Sequence, residues 1–318
     1  MYPQACFQFI AIDSIDLADR TYHLSPFEPI SPDNALFESI RQFGVLHPPI
    51  IKQKYNSFIV AAGRKRIMAA GQVRPGEKIM CLLIPEGAAD QYVYHLLVED
   101  TLCGGNLSLA EQARLFADLL ASSPVNDVLP LLAKLGHKPQ VYMLEGIVSL
   151  LSLHPAVLAA VHRGVIQLKA ARNIRKLPPE DQEVLVQLIT SLNLGGSKQN
   201  KLIDYSAELS LRTGEPLREL LQDFSAGHAA GGNENIPQRA AALLLWLHEK
   251  CYPRTTEAED AFRKSVAALR LPDHMHLEHS LSFEEDNVSL SLLFPDMETV
   301  QEALPEILKI TEKKRAGA

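Results

Sequence analysis

The chain has 318 residues, of which 47% are hydrophobic, and this is enough for two or three domains that each bury a core. Its formal net charge of −7 excludes a general binder of polyanions, so any site for phosphate or nucleic acid must be a local patch. Four widely spaced cysteines argue against a disulfide framework, and no apolar run reaches the roughly 20 residues of a membrane-spanning helix, which together predict a cytoplasmic protein without membrane contact.

Residues 1–104 predict a small domain that mixes strands and helices. The segment SPDNALFESIRQFG predicts a helix that Ser31 caps and Gly44 ends, with Pro32 in its first turn. Two short β runs, PIIKQ and SFIVAA, follow, and KIMCLLIP predicts a further strand. The segment AADQYVYHLLVED predicts the helix that ends this domain.

Residues 105–224 predict an almost wholly helical domain. The segment SLAEQARLFADLLAS begins with a capping box in which Ser108 pairs with Glu111. The Gly-rich segment 225–238 predicts a linker. Residues 239–318 predict an α+β module of two helices, a β hairpin and a last amphipathic helix. The fold class predicted for the whole chain is therefore α+β and predominantly α.

Three cations follow Gly63 in IVAAGRKRIMAAG, at the point where a strand turns into a helix. They are Arg64, Lys65 and Arg66. A glycine at such a turn lets a ligand approach the backbone, and the first amides of the helix favour an anion. The pattern indicates a phosphate site, and the alternative is a helix end whose cations point into water.

Two adjacent carboxylates, Glu99 and Asp100, stand where a helix gives way to a Gly-rich turn. Carboxylates beside a phosphate site are suited to Mg²⁺, which prefers one or two of them together with phosphate oxygens and water. The alternative is an ordinary polar end of a helix.

The segment LPLLAKLGHKPQVYMLEGIVSLL has the outline of a helix-turn-helix, with Gly136 in the turn and a second helix beginning at Lys138–Pro139. In such a unit the first side chains of the second helix face the major groove of DNA. Here they are His137, Lys138, Gln140 and Tyr142. The alternative is a helical hairpin inside a bundle.

The densest basic stretch of the chain is HRGVIQLKAARNIRK, which contains no acidic residue. Its charged residues are His162, Arg163, Lys169, Arg172, Arg175 and Lys176. Such a stretch is suited to DNA phosphates, and each contact would add to the salt dependence of binding. The alternative is a solvated helix face.

The order of these segments resembles the ParB partition protein family over roughly residues 8 to 210. LFESIRQFGVLHPPIIKQ is similar to the family's helix, glycine and Gln-Pro strand, with His47 at the place of the Gln. GRKRIMAA is similar to the family's Gly-Glu-Arg-Arg-x-Arg-Ala box, in which Gly63, Arg66 and Ala69 match.

Two further boxes carry the resemblance with changes. EDTLCGGNLSLAEQA is similar to the family's Glu-Asn-x-x-Arg box, where Glu99 matches, Asp100 stands for Asn and Cys103 stands at the place of the Arg. GVIQLKAAR is similar to the family's Gly-x-Leu-Ser-x-Gly-His-Ala-Arg, with Ala170 in place of the His and Arg172 kept.

The resemblance implies an N-terminal ParB/sulfiredoxin-like domain that binds CTP with Mg²⁺, acts at most as a slow CTPase and operates a clamp. It also implies a helix-turn-helix that binds DNA on the nucleoid, a C-terminal module that forms a homodimer, and a partition ATPase as partner. The residues implied for the phosphates are Gly63, Arg64, Lys65 and Arg66, those for magnesium Glu99 and Asp100, and those of the loop beside the base His47 and Pro48.

Two other functions remain open on the sequence. The first is a nucleotide-dependent enzyme, a CTPase or nuclease, with Glu99 and Asp100 as metal ligands. The second is a degenerate scaffold that keeps the fold for contacts with other proteins and has lost nucleotide binding.

Overall fold

The computed structural model describes residues 5–27, 31–102, 106–228, 235–280 and 287–315. The chain divides into two compact units, Met1–Ala241 and Ala242–Ala318. Helices dominate and a small mixed sheet accompanies them, which confirms the predicted α+β, predominantly α fold class. Within the part of the chain that the structure describes, no helix is long and apolar enough to cross a membrane.

The first unit begins with a five-stranded mixed sheet. Its strands are β1 (Cys6–Ala11), β2 (Ile15–Asp16), β3 (Ile50–Lys54), β4 (Ser57–Ala62) and β5 (Lys78–Ile84). The strands lie in the order β1-β5-β3-β4-β2. β5 pairs antiparallel with β1 and parallel with β3, β4 pairs antiparallel with β3, and β2 runs parallel to β4. The predicted strands PIIKQ, SFIVAA and KIMCLLIP are thus confirmed within one or two residues.

Three helices accompany the sheet. They are α1 (Asn34–Phe43), α2 (Arg64–Val73) and α3 (Asp90–Leu102). Ile40 of α1 and Ile67 of α2 share one core with Ile51 of β3. Alternate strand residues such as Ile59 and Ile84 are buried on the opposite face, and α3 packs against β4. Burial of both faces at the centre of the sheet explains why these strands are apolar runs and do not alternate.

The cap of α1 differs from the prediction. The Asp33 carboxylate accepts a 2.7 Å hydrogen bond from the Leu36 amide, so Asp33 and not Ser31 is the N-cap. The helix therefore begins at Asn34, and a carboxylate at its N-terminus also suits the helix dipole. Gly44 ends the helix with a φ of 75°, as predicted.

In the described residues from 106 to 228, eight further α-helices follow. They are α4 (Leu109–Ser122), α5 (Val125–Lys134), α6 (Val141–Val148), α7 (Pro155–His162), α8 (Leu168–Ile174), α9 (Pro179–Ser191), α10 (Gly196–Thr213) and α11 (Leu217–His228). The capping box of α4 is confirmed, because Ser108 Oγ accepts from the Glu111 amide and the Glu111 carboxylate accepts from the Ser108 amide. Phe116, Leu144 and Ile174 are among the fully buried side chains of this helical part.

The linker predicted over 225–238 overlaps two helices in the structure. Residues 225–228 continue α11, and α12 (Ile236–Cys251) begins inside the predicted segment. Helical residues on both sides of the segment have buried side chains, such as Leu220 on α11 and Ala240 on α12, and this burial stabilises the two helices. Residues 229–234 lie outside the described residues.

The second unit holds the rest of α12 and the predicted C-terminal elements. These are α13 (Pro253–Leu269), β6 (Met275–His279), β7 (Val288–Leu292) and α14 (Met297–Arg315). β6 and β7 pair antiparallel, which confirms the predicted hairpin. The division into a nucleotide domain, a DNA-binding domain and a C-terminal module stays a prediction.

Candidate functional site

Gly63 is the N-cap of α2 and has left-handed backbone angles, with a φ of 86° and a ψ of 22°. L-residues other than glycine pay about 1–2 kcal/mol in this region. A β-carbon placed at Gly63 would also lie 3.0 Å from the β-carbon of Pro49 and from two nitrogens of Arg66. The turn from β4 into α2 therefore needs glycine for both its angles and its space.

Arg66 lies across this turn. Its Nη1 donates a 2.5 Å hydrogen bond to the carbonyl of His47, in the loop that also holds Pro48. Burial lowers the pKa of the Arg66 guanidinium, and the negative charge of Asp100 opposes that effect. The side chain predicted to bind phosphate thus covers Gly63 and is held by a backbone carbonyl.

Arg64 is tied to the loop after β2. Its guanidinium donates to the carbonyl of Leu17 and, at 2.6 Å, to the carbonyl of Asp19. Burial lowers the pKa of Arg64, the charge of Arg20 adds to that effect, and nearby carboxylates oppose it. Lys65, in contrast, is exposed. The two arginines therefore lie against the protein and not in bulk water.

A cavity of about 220 Å³ opens beside Gly63 and Arg64. Its wall comes from the loop before α1, the end of β4, the last turns of α3 and the first turn of α4. The lining residues that carry polar groups include Tyr22, His23, Ser25, Arg64, Asp100, Thr101 and Glu111. One guanidinium and the N-terminus of α2 favour an anion here, while the two carboxylates favour a cation beside it.

The two predicted metal ligands have different neighbours. Asp100 lines the cavity, whereas the carboxylate of Glu99 forms an ion pair with the ammonium group of Lys134, the last residue of α5. Among the described residues there is no group of three or more His, Cys, Asp or Glu that could hold a metal ion by itself. Cys103, which follows in the same motif, lies outside the described residues. Of the two predicted metal ligands, Asp100 is therefore the one that lines the cavity.

A partly buried polar cluster next to the cavity, formed by Tyr22, Lys52 and Asp90, was not predicted from the sequence. The Tyr22 hydroxyl donates to the Asp90 carboxylate at 2.5 Å, and Lys52 Nζ lies 3.0 Å from the Tyr22 oxygen and 2.7 Å from Asp90. Burial raises the pKa of Tyr22, and the hydrogen bond to Asp90 adds to it. Burial would also raise the pKa of Asp90, but the hydrogen bonds from Lys52 and Tyr22 outweigh it and lower that pKa. No sequence signal marks this cluster, since its members lie far apart along the chain.

The turn between α5 and α6 closes as a Schellman motif. Gly136 has a φ of 83°, its amide donates to the Ala133 carbonyl at 3.1 Å, and the His137 amide donates to the Leu132 carbonyl at 2.9 Å. α6 begins at Val141, later than the predicted Lys138–Pro139, because Gln140 is still extended as its N-cap.

The side chains at this turn divide into two groups. Lys138, Gln140 and Tyr142 are exposed together at the start of α6, and half of Tyr142 is accessible. His137 turns inward, where its Nε2 lies 2.7 Å from Oε1 of Gln112 on α4. Burial lowers the pKa of His137. His137 is thus a structural anchor, which corrects its prediction as a residue that faces DNA.

The basic stretch divides in the same way. Arg163, Lys169, Arg175 and Lys176 are exposed. His162 Nδ1 lies 2.8 Å from the hydroxyl of Ser108. Arg172 lies over Gly146 in the middle of α6, so close that a β-carbon there would be 2.8 Å from its Cζ. Arg172 therefore packs against α6, and the exposed cations of the basic stretch are Arg163, Lys169, Arg175 and Lys176.

No family model matches the chain, and no curated protein matches it in sequence. Two crystal structures of the C-terminally truncated chromosome-partitioning protein ParB from Caulobacter crescentus are similar in structure. The one complexed to the centromeric parS site is 17% identical, and the match covers 62% of this chain and 97% of that chain with a TM-score of 0.29. The one complexed with CTP-gamma-S is 17% identical, and the match covers 58% and 99% with a TM-score of 0.26. At these scores the likeness carries no argument, and the proposals below depend on the residues of this chain.

Proposed function

We propose that this protein binds DNA through the start of α6 and the exposed cations around α8, and that it binds a nucleoside triphosphate at the start of α2. It would act as a ParB-like partition protein or regulator. The observation that carries the proposal is the joint exposure of Lys138, Gln140 and Tyr142 behind a closed turn. In a helix-turn-helix the second helix presents its first residues to the major groove, and we propose this role for α6.

These side chains have the chemistry of base and backbone contacts. The amide of Gln140 can pair with adenine, and Lys138 can reach guanine or a phosphate. Among the exposed cations, Lys169 lies on α8 and Arg175 directly follows this helix, and we propose that both contact DNA phosphates. The protein is acidic overall, so DNA affinity should depend on this surface and fall steeply with salt.

The test is a salt titration of DNA affinity. We expect Lys169→Ala with Arg175→Ala to lower the slope of log K against log salt by about 0.9 for each lost contact. Lys78→Ala, an exposed lysine of β5, is the matched control and should leave the slope unchanged. The DNA part of the proposal fails if the wild-type protein does not bind duplex DNA at low salt.

The nucleotide part rests on the turn at Gly63. The first amides of α2 and the guanidinium of Arg64 would hold phosphate oxygens, Lys65 would add charge, and Asp100 would hold Mg²⁺, which neutralises phosphate charge. The cavity of about 220 Å³ is smaller than the ~300–1,000 Å³ usual for ligand sites. A triphosphate would therefore extend beyond this cavity, and we propose that Arg66 leaves the His47 carbonyl and turns toward the ligand. The resemblance of the motif boxes favours CTP, with the loop of His47 and Pro48 beside the base.

The enzymatic alternative has less support from the geometry. A CTPase or nuclease with two metal-ligating carboxylates needs Glu99 and Asp100 on one ion, and Glu99 is engaged by Lys134. We therefore propose at most slow hydrolysis. A homodimer formed by the second unit and a partition ATPase as partner remain proposals from the resemblance.

A further inference from the structure

The first turn of α4 touches both the cavity and the elements proposed to bind DNA. Leu107 and Glu111 line the cavity. One residue further, Gln112 is only 8% exposed although its side chain is polar. A buried amide must find partners on both of its ends. The hydrogen-bond partners of the Gln112 amide therefore show which parts of the structure this turn connects.

Gln112 bridges the cavity wall and the α5–α6 turn. Its Nε2 donates to the carbonyl of Leu107 at 2.9 Å, and its Oε1 lies 2.7 Å from Nε2 of His137. A backbone carbonyl can only accept, so the amide nitrogen must face Leu107 and the amide oxygen must face His137. His137 therefore donates from Nε2, and the bridge has one consistent direction.

His137, at the other end of the bridge, stabilises the α5–α6 turn. The amide of His137 closes the Schellman motif on Leu132, and Lys138 and Gln140 follow directly. A shift of Leu107 would therefore reach the base of the side chains that we propose to contact DNA. The same turn of α4 has a second connection, since Ser108 bonds His162 beside the exposed Arg163.

We infer that Gln112 couples occupancy of the cavity to the presentation of α6, so that a ligand beside Leu107 changes the affinity for DNA through the Leu107–Gln112–His137 bridge. This inference rests on the proposed function. Gln112 touches neither ligand in it and is a positioning residue.

The chain supplies a matched control. Gln182 at the start of α9 is also buried, with 4% exposed. Its Nε2 donates to the Leu177 carbonyl at 2.9 Å, and its Oε1 accepts from the His154 amide at 2.9 Å. Gln112 and Gln182 each reach a leucine carbonyl five residues earlier. Gln182 has no part in the wall of the cavity or in the α5–α6 turn.

The first measurement is hydrogen–deuterium exchange of the full chain without ligand. We expect Gln112→Leu to speed exchange of the His137 amide roughly fivefold, the effect of one lost hydrogen bond, while Gln182→Leu leaves it unchanged. His137→Phe, which breaks the bridge from the other end, should speed exchange in residues 107–111. A change in Gln112→Leu confined to α4 overturns the inference.

The second measurement is DNA affinity with and without CTP and Mg²⁺. We expect the wild-type protein and Gln182→Leu to show a change of at least about fivefold, and Gln112→Leu to show none although each ligand alone still binds. Retained coupling in Gln112→Leu, or binding of both ligands without coupling in the wild-type protein, overturns the inference and leaves the proposed function intact. A wild-type protein that binds neither ligand overturns both.

Discussion

The guanidinium of Arg66 covers Gly63 and donates a hydrogen bond to the His47 carbonyl, so the entrance of α2 is closed by the side chain that the sequence marks as a phosphate ligand. Without a ligand, this contact satisfies part of a buried cation. If the start of α2 binds phosphate as proposed, the ligand and the His47 carbonyl compete for the Arg66 guanidinium.

Gly63→Ala should destabilise the protein by about 1–3 kcal/mol, because the left-handed angles are costly for alanine and the new methyl group meets Pro49 and Arg66. Urea unfolding measures the effect. The control is Gly214→Ala at the end of α10, where the backbone is also left-handed but no atom lies within 4 Å of the added carbon. Equal losses at both positions would show that the close approach at Gly63 costs nothing.

Asp100→Asn should remove the part of nucleotide stabilisation that depends on Mg²⁺, whereas Glu99→Gln should keep it. The reason is that Asp100 lines the cavity while Glu99 pairs with Lys134 at a half-exposed position. Thermal unfolding with nucleotide, with and without Mg²⁺, separates the two carboxylates. If Glu99→Gln removes the Mg²⁺-dependent part and Asp100→Asn keeps it, Glu99 is the magnesium ligand, as the motif resemblance implies.

Gly146→Ala should stabilise the protein by about 0.5–1 kcal/mol only when Arg172 is also replaced by alanine. Alanine is the better helix former, but its β-carbon would collide with the Arg172 guanidinium that lies over α6. Unfolding free energies of the two single variants and the double variant form a cycle. An additive cycle would show that Arg172 does not rest on Gly146 in solution.

Asp90→Asn should lower stability at neutral pH, by about 1 kcal/mol or less because the carboxylate is half exposed. Lys52 and Tyr22 hold the pKa of Asp90 below its unfolded value, so its contribution is present above that value and is lost as the pH falls through the folded pKa. The variant should therefore lose less stability than the wild-type protein between neutral pH and about pH 3. If urea unfolding shows the same loss of unfolding free energy for both proteins between neutral pH and about pH 3, the role of the cluster is refuted.

Local sequence patterns predicted most of the elements. The apolar runs of β3 and β4, the capping box of α4 and the hairpin of β6 and β7 are each encoded by residues a few positions apart. The cap of α1 was misplaced by two residues, since Ser31 and Asp33 are equivalent by residue type and only geometry selects Asp33.

The tertiary contacts of the site residues were beyond reach of the sequence. A charge pattern shows that Arg64, Arg66 and Arg172 are cationic, but it cannot show that backbone carbonyls hold the first two and that the third lies on Gly146. The inward turn of His137 depends on Gln112, which lies 25 residues earlier. Contacts of this kind are fixed by packing of whole helices, which leaves no local spacing to detect.

Thermal unfolding with CTP, ATP and GTP in the presence of Mg²⁺ tests whether the start of α2 binds nucleotide phosphates. A ligand at 100 times its Kd should add about 2.7 kcal/mol of apparent stability. We predict that CTP raises the Tm of the wild-type protein and of Arg74→Ala, an exposed arginine at the other end of the helix, and that Arg64→Ala abolishes the rise. No rise with any nucleotide, or an undiminished rise in Arg64→Ala, would contradict the claim.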